Sequence, residues 1–100
     1  MSNYSKGANF ERRVRKHFEA EGWVVFRSAG SHSPADLIAL KAGEVMLIQC
    51  QLNGYFTKAK KGILQILTEE LNCQGCLAWK EGKTLRLGKW NEADSIKANK

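Results

Sequence analysis

RSAGSHSPADLIALKAGEVMLIQCQ, residues 27–51, divides into a polar loop, an apolar run headed by Asp36, a tight turn and a second apolar run. Asp36–Leu40 and Glu44–Leu52 read as paired β-strands, with Ala42-Gly43 as the hairpin turn. Both runs are apolar on both faces, as expected of central strands covered on two sides. Side chains alternate along a strand, so Gln49 and Gln51 share one face and Cys50 takes the other. Pairing then lets Asp36 and the Gln49 face converge at one edge of the sheet. Packing alone does not explain two amides beside an acid on otherwise apolar strands.

Upstream, Phe10, Val14 and Phe18 recur every four residues and predict a helix over residues 6–21, ended by Gly22. Residues 1–5 read as a loose leader. Glu11 borders the apolar stripe, where a helical pair with Arg15 would account for it. Arg12, Arg13, Arg15 and Lys16 make the outer face basic, either as a solvated face or as a grip on phosphates. His17 is expected to be structural. Trp23–Phe26 is a short strand, and residues 28–34 form a Gly/Ser loop whose N–H groups and hydroxyls can approach phosphate. Within that loop, turn chemistry is enough to account for Ser31, and His32 is expected to be a bystander.

Downstream, Asn53-Gly54 breaks the second run, and Thr57 is a good N-cap for a helix over Lys58–Leu71. Ile63, Ile66, Leu67 and Leu71 are its expected inner face. Gly62 costs about 1 kcal/mol there relative to Ala, which predicts close backbone packing. Lys58, Lys60 and Lys61 crowd the end that the helix dipole makes unfavourable for cations, which hints at an external anion. Cys73 and Cys76 are spaced Cys-x-x-Cys, but no second pair completes a zinc site, so buried thiols are expected. Cys76–Trp79 and Thr84–Leu87 are the last two strands, turned at residues 81–83, and residues 91–100 are expected to fray.

The chain of 100 residues is expected to form one domain. Its formal charge of +6 and pI near 9.4 favour a polyanionic partner, nucleic acid first. No run of 18 apolar residues predicts a membrane span. An odd cysteine count and a polar N-terminus predict a reducing cytoplasm.

Taken in order, Gly7–Arg12, Arg27–Ser31, Pro34–Lys41 and Leu47–Gln51 resemble the PD-(D/E)xK nucleases, and within them the archaeal-type Holliday junction resolvases, phage-borne ones included. The resemblance implies an α/β, restriction-endonuclease-like fold: a central mixed five-stranded sheet flanked by helices. It implies a homodimer that resolves four-way DNA junctions by Mg²⁺-dependent phosphodiester hydrolysis, with Mn²⁺ as a substitute, in DNA recombination and repair. It would work in the cytoplasm, or in the host's if phage-encoded. By the same resemblance Glu11, Asp36 and Gln49 occupy the metal-holding positions, Gln51 the position of the lysine that orients the attacking water, and Ser31 that of a loop serine needed for cleavage. Arg27 matches a DNA-contacting arginine and Arg12 a family arginine that is favoured for backbone contact, and Arg13, Lys58, Lys60 and Lys61 join them as candidate phosphate contacts. Tyr55 and Phe56 could fill the core, form a dimer contact or stack on bases, and the family's dimer ranks the dimer contact first. The departure is that the family has Glu or Asp where this chain has Gln49, and Lys where it has Gln51. Gln49 can lend a metal only a neutral oxygen, and Gln51 brings no positive charge. The site is therefore atypical and expected to be weakened, since loss of one charge-stabilising donor typically costs about 10²–10³ in rate. Two alternatives follow: a degenerate nuclease-fold domain that binds branched DNA without cutting, and a different repair or restriction-like nuclease.

Overall fold

The hairpin around Ala42-Gly43 forms as expected and lies inside the sheet. In the computed structural model, which describes residues 3–28, 35–52 and 56–88, β2 (Leu37–Lys41) pairs antiparallel with β3 (Glu44–Gln51), from Lys41↔Glu44 to Leu37↔Ile48. Gly43 takes φ +73° in the turn, a conformation glycine adopts without steric cost. On one side β1 (Val24–Arg27) pairs antiparallel with β2. On the other, β4 (Gln74–Glu81) pairs parallel with β3 and antiparallel with β5 (Thr84–Gly88). The order β1-β2-β3-β4-β5 is the mixed five-stranded sheet that the resemblance implied.

A parallel pair needs a crossover, and α2 (Lys58–Leu71) supplies it between β3 and β4. Helix α1 (Asn3–Ala20) begins earlier than the periodicity indicated, so residues 3–5 belong to it and not to a loose leader. It ends in a Schellman motif: Gly22 N–H donates to Glu19 O, and Trp23 N–H to Phe18 O. The Trp23 ring then meets Phe18 edge-on, which supplies the motif's apolar contact. Helix α2 ends the same way, with Asn72 at φ 52° and Cys73 N–H donating to Thr68 O.

Each helix covers one face. Phe10, Val14 and Phe18 of α1 pack with Leu37, Ala39, Ile48, Cys76 and Ala78. On the opposite face Leu64 of α2 packs with Ala35, Leu47, Phe56, Leu77 and Trp79.

Four expectations need correction. The inner face of α2 is Leu64, Leu67 and Thr68, whereas Ile63, Ile66 and Leu71 are exposed, Ile66 by 58%. Thr68 can be buried because its hydroxyl donates to Gln65 O. Gly62 does not mark close packing: a Cβ there would meet nothing within 4 Å. Phe56 lies in the core, edge-on to Trp79; Tyr55 lies outside the described residues. Finally, α2 leaves part of the sheet bare. Val24 and Phe26 of β1, Leu40 of β2 and Val45 of β3 are exposed on the α2 face, Phe26 by 55%. Residues 91–100 lie outside the described residues.

Candidate active site

Asp36 is held at the head of β2 from three directions. Its N–H donates to Ile48 O, its carbonyl accepts from Ser28 N, and its Oδ2 accepts from Cys50 N at 2.8 Å. Carried one step beyond Leu37↔Ile48, the β2–β3 register sets Asp36 across from Gln49. The meeting point is thus the ends of two inner strands, not the lateral edge of the sheet. Burial pushes the Asp36 carboxyl above the usual carboxylate range. The Cys50 N–H and the charges of Lys60 and Arg27 pull it down without cancelling that shift.

Gln49 is buried and Gln51 half-buried. They lie on the α2 face of β3, paired in register with Leu77 and Trp79. Cys50 faces α1 instead, among the residues packed against the α1 cluster. Its thiol is pushed far up by burial first, then by the negative charges of Asp36 and Glu11. It stays protonated and is no nucleophile. That both carboxylates act on one thiol sets Glu11 and Asp36 in a single electrostatic neighbourhood.

Glu11 does not pair with Arg15. Its Oε1 accepts from Arg27 Nε at 3.1 Å, while Arg15 turns to Glu19 at 3.8 Å. Ala8, Glu11, Arg12, Arg15, Arg27 and Leu37 line a hollow of about 180 Å³, with the acid at its wall and three arginines around it. Arg12 donates to Asn9 Oδ1 and Arg13 to Lys83 O, both exposed. His17 has a partner that periodicity did not name, Glu21 at 3.4 Å, one turn on.

A second groove, of about 550 Å³, runs between α1 and the β4–β5 hairpin. Lys6, Arg13 and Lys80 line it with Asn9 and Phe10. Nothing local in the sequence marks Lys6 or Lys80, and only the pairing of β4 brings Lys80 beside α1. Lys58, Lys60 and Lys61 lie in the first turn of α2, where Lys60 N–H donates to Thr57 Oγ1. Ser31 and His32 lie outside the described residues.

Among the described residues no three of His, Cys, Asp and Glu form a group that could hold a metal. The candidate donors are two carboxylates and one amide, Glu11, Asp36 and Gln49. All three are hard oxygen donors, which suits Mg²⁺ or Mn²⁺, and the half-buried Asp36 carboxyl would gain from a neighbouring cation. The donor chemistry fits a divalent ion, with one charge fewer than three carboxylates would bring. Cys73 and Cys76 cannot share a zinc ion: Cys76 belongs to the α1 cluster and Cys73 packs against the α2 cluster, across the sheet. All three cysteines are free. Among the described residues no helix is long and apolar enough to cross a membrane.

The family model for archaeal Holliday junction resolvase (Hjc) matches residues 2–89. A crossover junction endodeoxyribonuclease Hjc from Methanocaldococcus jannaschii is 48% identical over 48 residues, which are 48% of this chain and 35% of that protein. The chain thus matches about a third of that relative's length. The solved structure of Archaeoglobus fulgidus Hjc, a Holliday junction resolvase, superposes with a TM-score of 0.73 at 18% identity, covering 86% of this chain and 74% of that one. The shared fold is restriction-endonuclease-like.

Proposed function

The chain belongs to the archaeal Holliday junction resolvase family, and we propose that it cuts four-way DNA junctions by hydrolysing phosphodiester bonds, as a homodimer. What carries this reading is Asp36, pinned to the backbone of β3 beside Gln49 and within the fields of Arg27 and Lys60. Asp36, Glu11 and Gln49 would hold a divalent ion, Mg²⁺ or Mn²⁺. When bound, such an ion supplies an activated water and relief of the charge that builds on phosphorus. Arg27 fixes the Glu11 carboxylate by its 3.1 Å contact. Gln51 can donate an amide N–H to the water or to a phosphate oxygen. Ser31 is proposed to act in cleavage by the same family likeness. Arg12, Arg13, Arg27, Lys58, Lys60 and Lys61 would meet the DNA backbone, and Lys6 and Lys80 extend that basic track around α1. Recognition by phosphate and shape suits a substrate defined by its branch and not by base sequence.

A four-way junction has two-fold symmetry, and two related nicks need two related sites, which a two-fold dimer provides. The bare apolar patch of Val24, Phe26, Leu40 and Val45 supports that assembly, because a contiguous exposed apolar surface marks an interaction site. The test is incubation of the purified chain with a labelled junction and Mg²⁺ or Mn²⁺, beside linear duplex. Paired nicks at the branch are expected, lost in Glu11→Gln and Asp36→Asn. Equal cutting of duplex would mean a different repair or restriction-like nuclease. Tight junction binding without any cut would favour the binding-only reading, to which Gln49 and Gln51 give specific support.

A further inference from the structure

We propose that Lys60 is the catalytic lysine of this chain, contributing from the first turn of α2 the positive charge that Gln51 does not. The inference rests on the endonuclease reading and deepens it. The position follows from the crossover. The chain leaves β3 at Gln51, and α2 must begin above the ends of β3 and β4 to return along their face. Phe56 anchors that start by packing edge-on against Trp79, the register partner of Gln51. Ala35, next to Asp36, belongs to the same cluster as Phe56 and Trp79. Thr57 then caps the helix by accepting the Lys60 N–H, which fixes the first turn next to the Phe56 anchor. Asp36, Gln49, Gln51 and the foot of α2 therefore meet at one end of the sheet.

Lys60 is the member of its cluster whose charge acts on Asp36, together with Arg27 from the α1 side. Among the described residues its ammonium makes no hydrogen bond or ion pair, and the side chain is exposed. The first turn of α2 carries no acid to neutralise it. A lysine at a helix N-terminus is unfavourable for the helix, and an anionic phosphate brought to Asp36 would remove the penalty. In the hydrolysis, water oxygen bonds to phosphorus, one ester P–O bond breaks, and the departing oxygen takes up a proton. Lys60 stays protonated throughout and stabilises the charge on the non-bridging oxygens, which is greatest in the transition state.

The test is single-turnover cleavage of a four-way junction at saturating protein, with Lys60→Gln, Lys60→Arg, Gln51→Lys and the double variant Gln51→Lys/Lys60→Gln. Lys60→Gln is expected to slow cutting at saturation about 100-fold, a loss that saturating protein separates from the weaker junction binding that follows from one phosphate contact fewer. Lys60→Arg should keep part of the rate. Gln51→Lys should restore the rate in the Lys60→Gln background and add little in the wild-type one. A second readout needs no DNA: Mn²⁺ affinity measured by calorimetry should rise in Lys60→Gln, because a positive charge beside the carboxylates is gone. Wild-type cutting by Lys60→Gln at saturation would overturn the proposal. So would a loss explained wholly by weaker junction binding and not recovered by Gln51→Lys. If the wild-type chain binds junctions but never cuts, the endonuclease reading fails. Mn²⁺ affinity then decides separately: a rise in Lys60→Gln keeps Lys60 as the charge beside Asp36, and no change removes it.

Discussion

Asp36 works against the fold that holds it. Its carboxyl titrates above the unfolded value of about 3.9, chiefly because burial disfavours the charged form. The folded state therefore binds this proton more tightly than the unfolded state, and stability is lost as pH rises through that window. Asp36→Asn keeps an oxygen to accept from Cys50 N–H and removes the charge. We expect its melting temperature to exceed that of the wild type at neutral pH and the gap to close below about pH 4, as read by thermal unfolding across pH. Cleavage should be abolished in the same variant. Arg27→Gln tests the opposite balance. The Arg27–Glu11 pair is partly exposed, 55% and 24%, so its loss should cost less than about 1 kcal/mol in a denaturant titration. Cutting should fall much more, because Glu11 loses its anchor. Strand alternation was enough to set Gln49 and Gln51 on one face and Cys50 on the other. The partner of Glu11 was not legible, because Arg15 satisfies the local spacing and Arg27 is brought in only by the pairing of β1 with β2.

Helix α2 shows how far periodicity carries at the scale of an element. Its ends and its Thr57 cap agree with the residue pattern. Its rotation does not, because Ile63, Ile66, Leu67 and Leu71 make as plausible an inner stripe as Leu64, Leu67 and Thr68. Two contacts decide between them: Phe56 on Trp79, which aims the start of the helix, and the Thr68–Gln65 hydrogen bond, which lets a threonine take a core position. Leu64→Ala should accordingly cost about 2–5 kcal/mol in denaturant unfolding, and Ile66→Ala far less in a monomeric background. Equal losses would return the helix to the rotation that periodicity alone suggests.

For the whole molecule, the uncovered α2 face and the basic surface around α1 make separate demands. Phe26→Asp places a charge in the apolar patch, so we expect it to shift the mass measured by light scattering from dimer to monomer while the fold survives. A monomeric wild type at working concentrations would remove the dimer. Junction affinity should fall steeply with salt, since each phosphate contact releases counterions, and Lys80→Gln should lower the log–log slope by about 1. An unchanged slope would take the groove between α1 and the β4–β5 hairpin out of the DNA track.

Local chemistry in the residue order determined most of the architecture: the two helices and five strands of the described residues, their turns and caps, and the ordered motifs that carry the family likeness. These depend on residue type and spacing within a few positions, and such information is complete in one dimension. Only the tertiary structure decided which face of α2 is buried, that Glu11 reaches Arg27, that Cys73 and Cys76 lie across the sheet from each other, and that the charge of Lys60 acts on Asp36. Each of these depends on how separate elements dock. Docking is set by the summed packing of both partners, and neither partner's own sequence contains that sum.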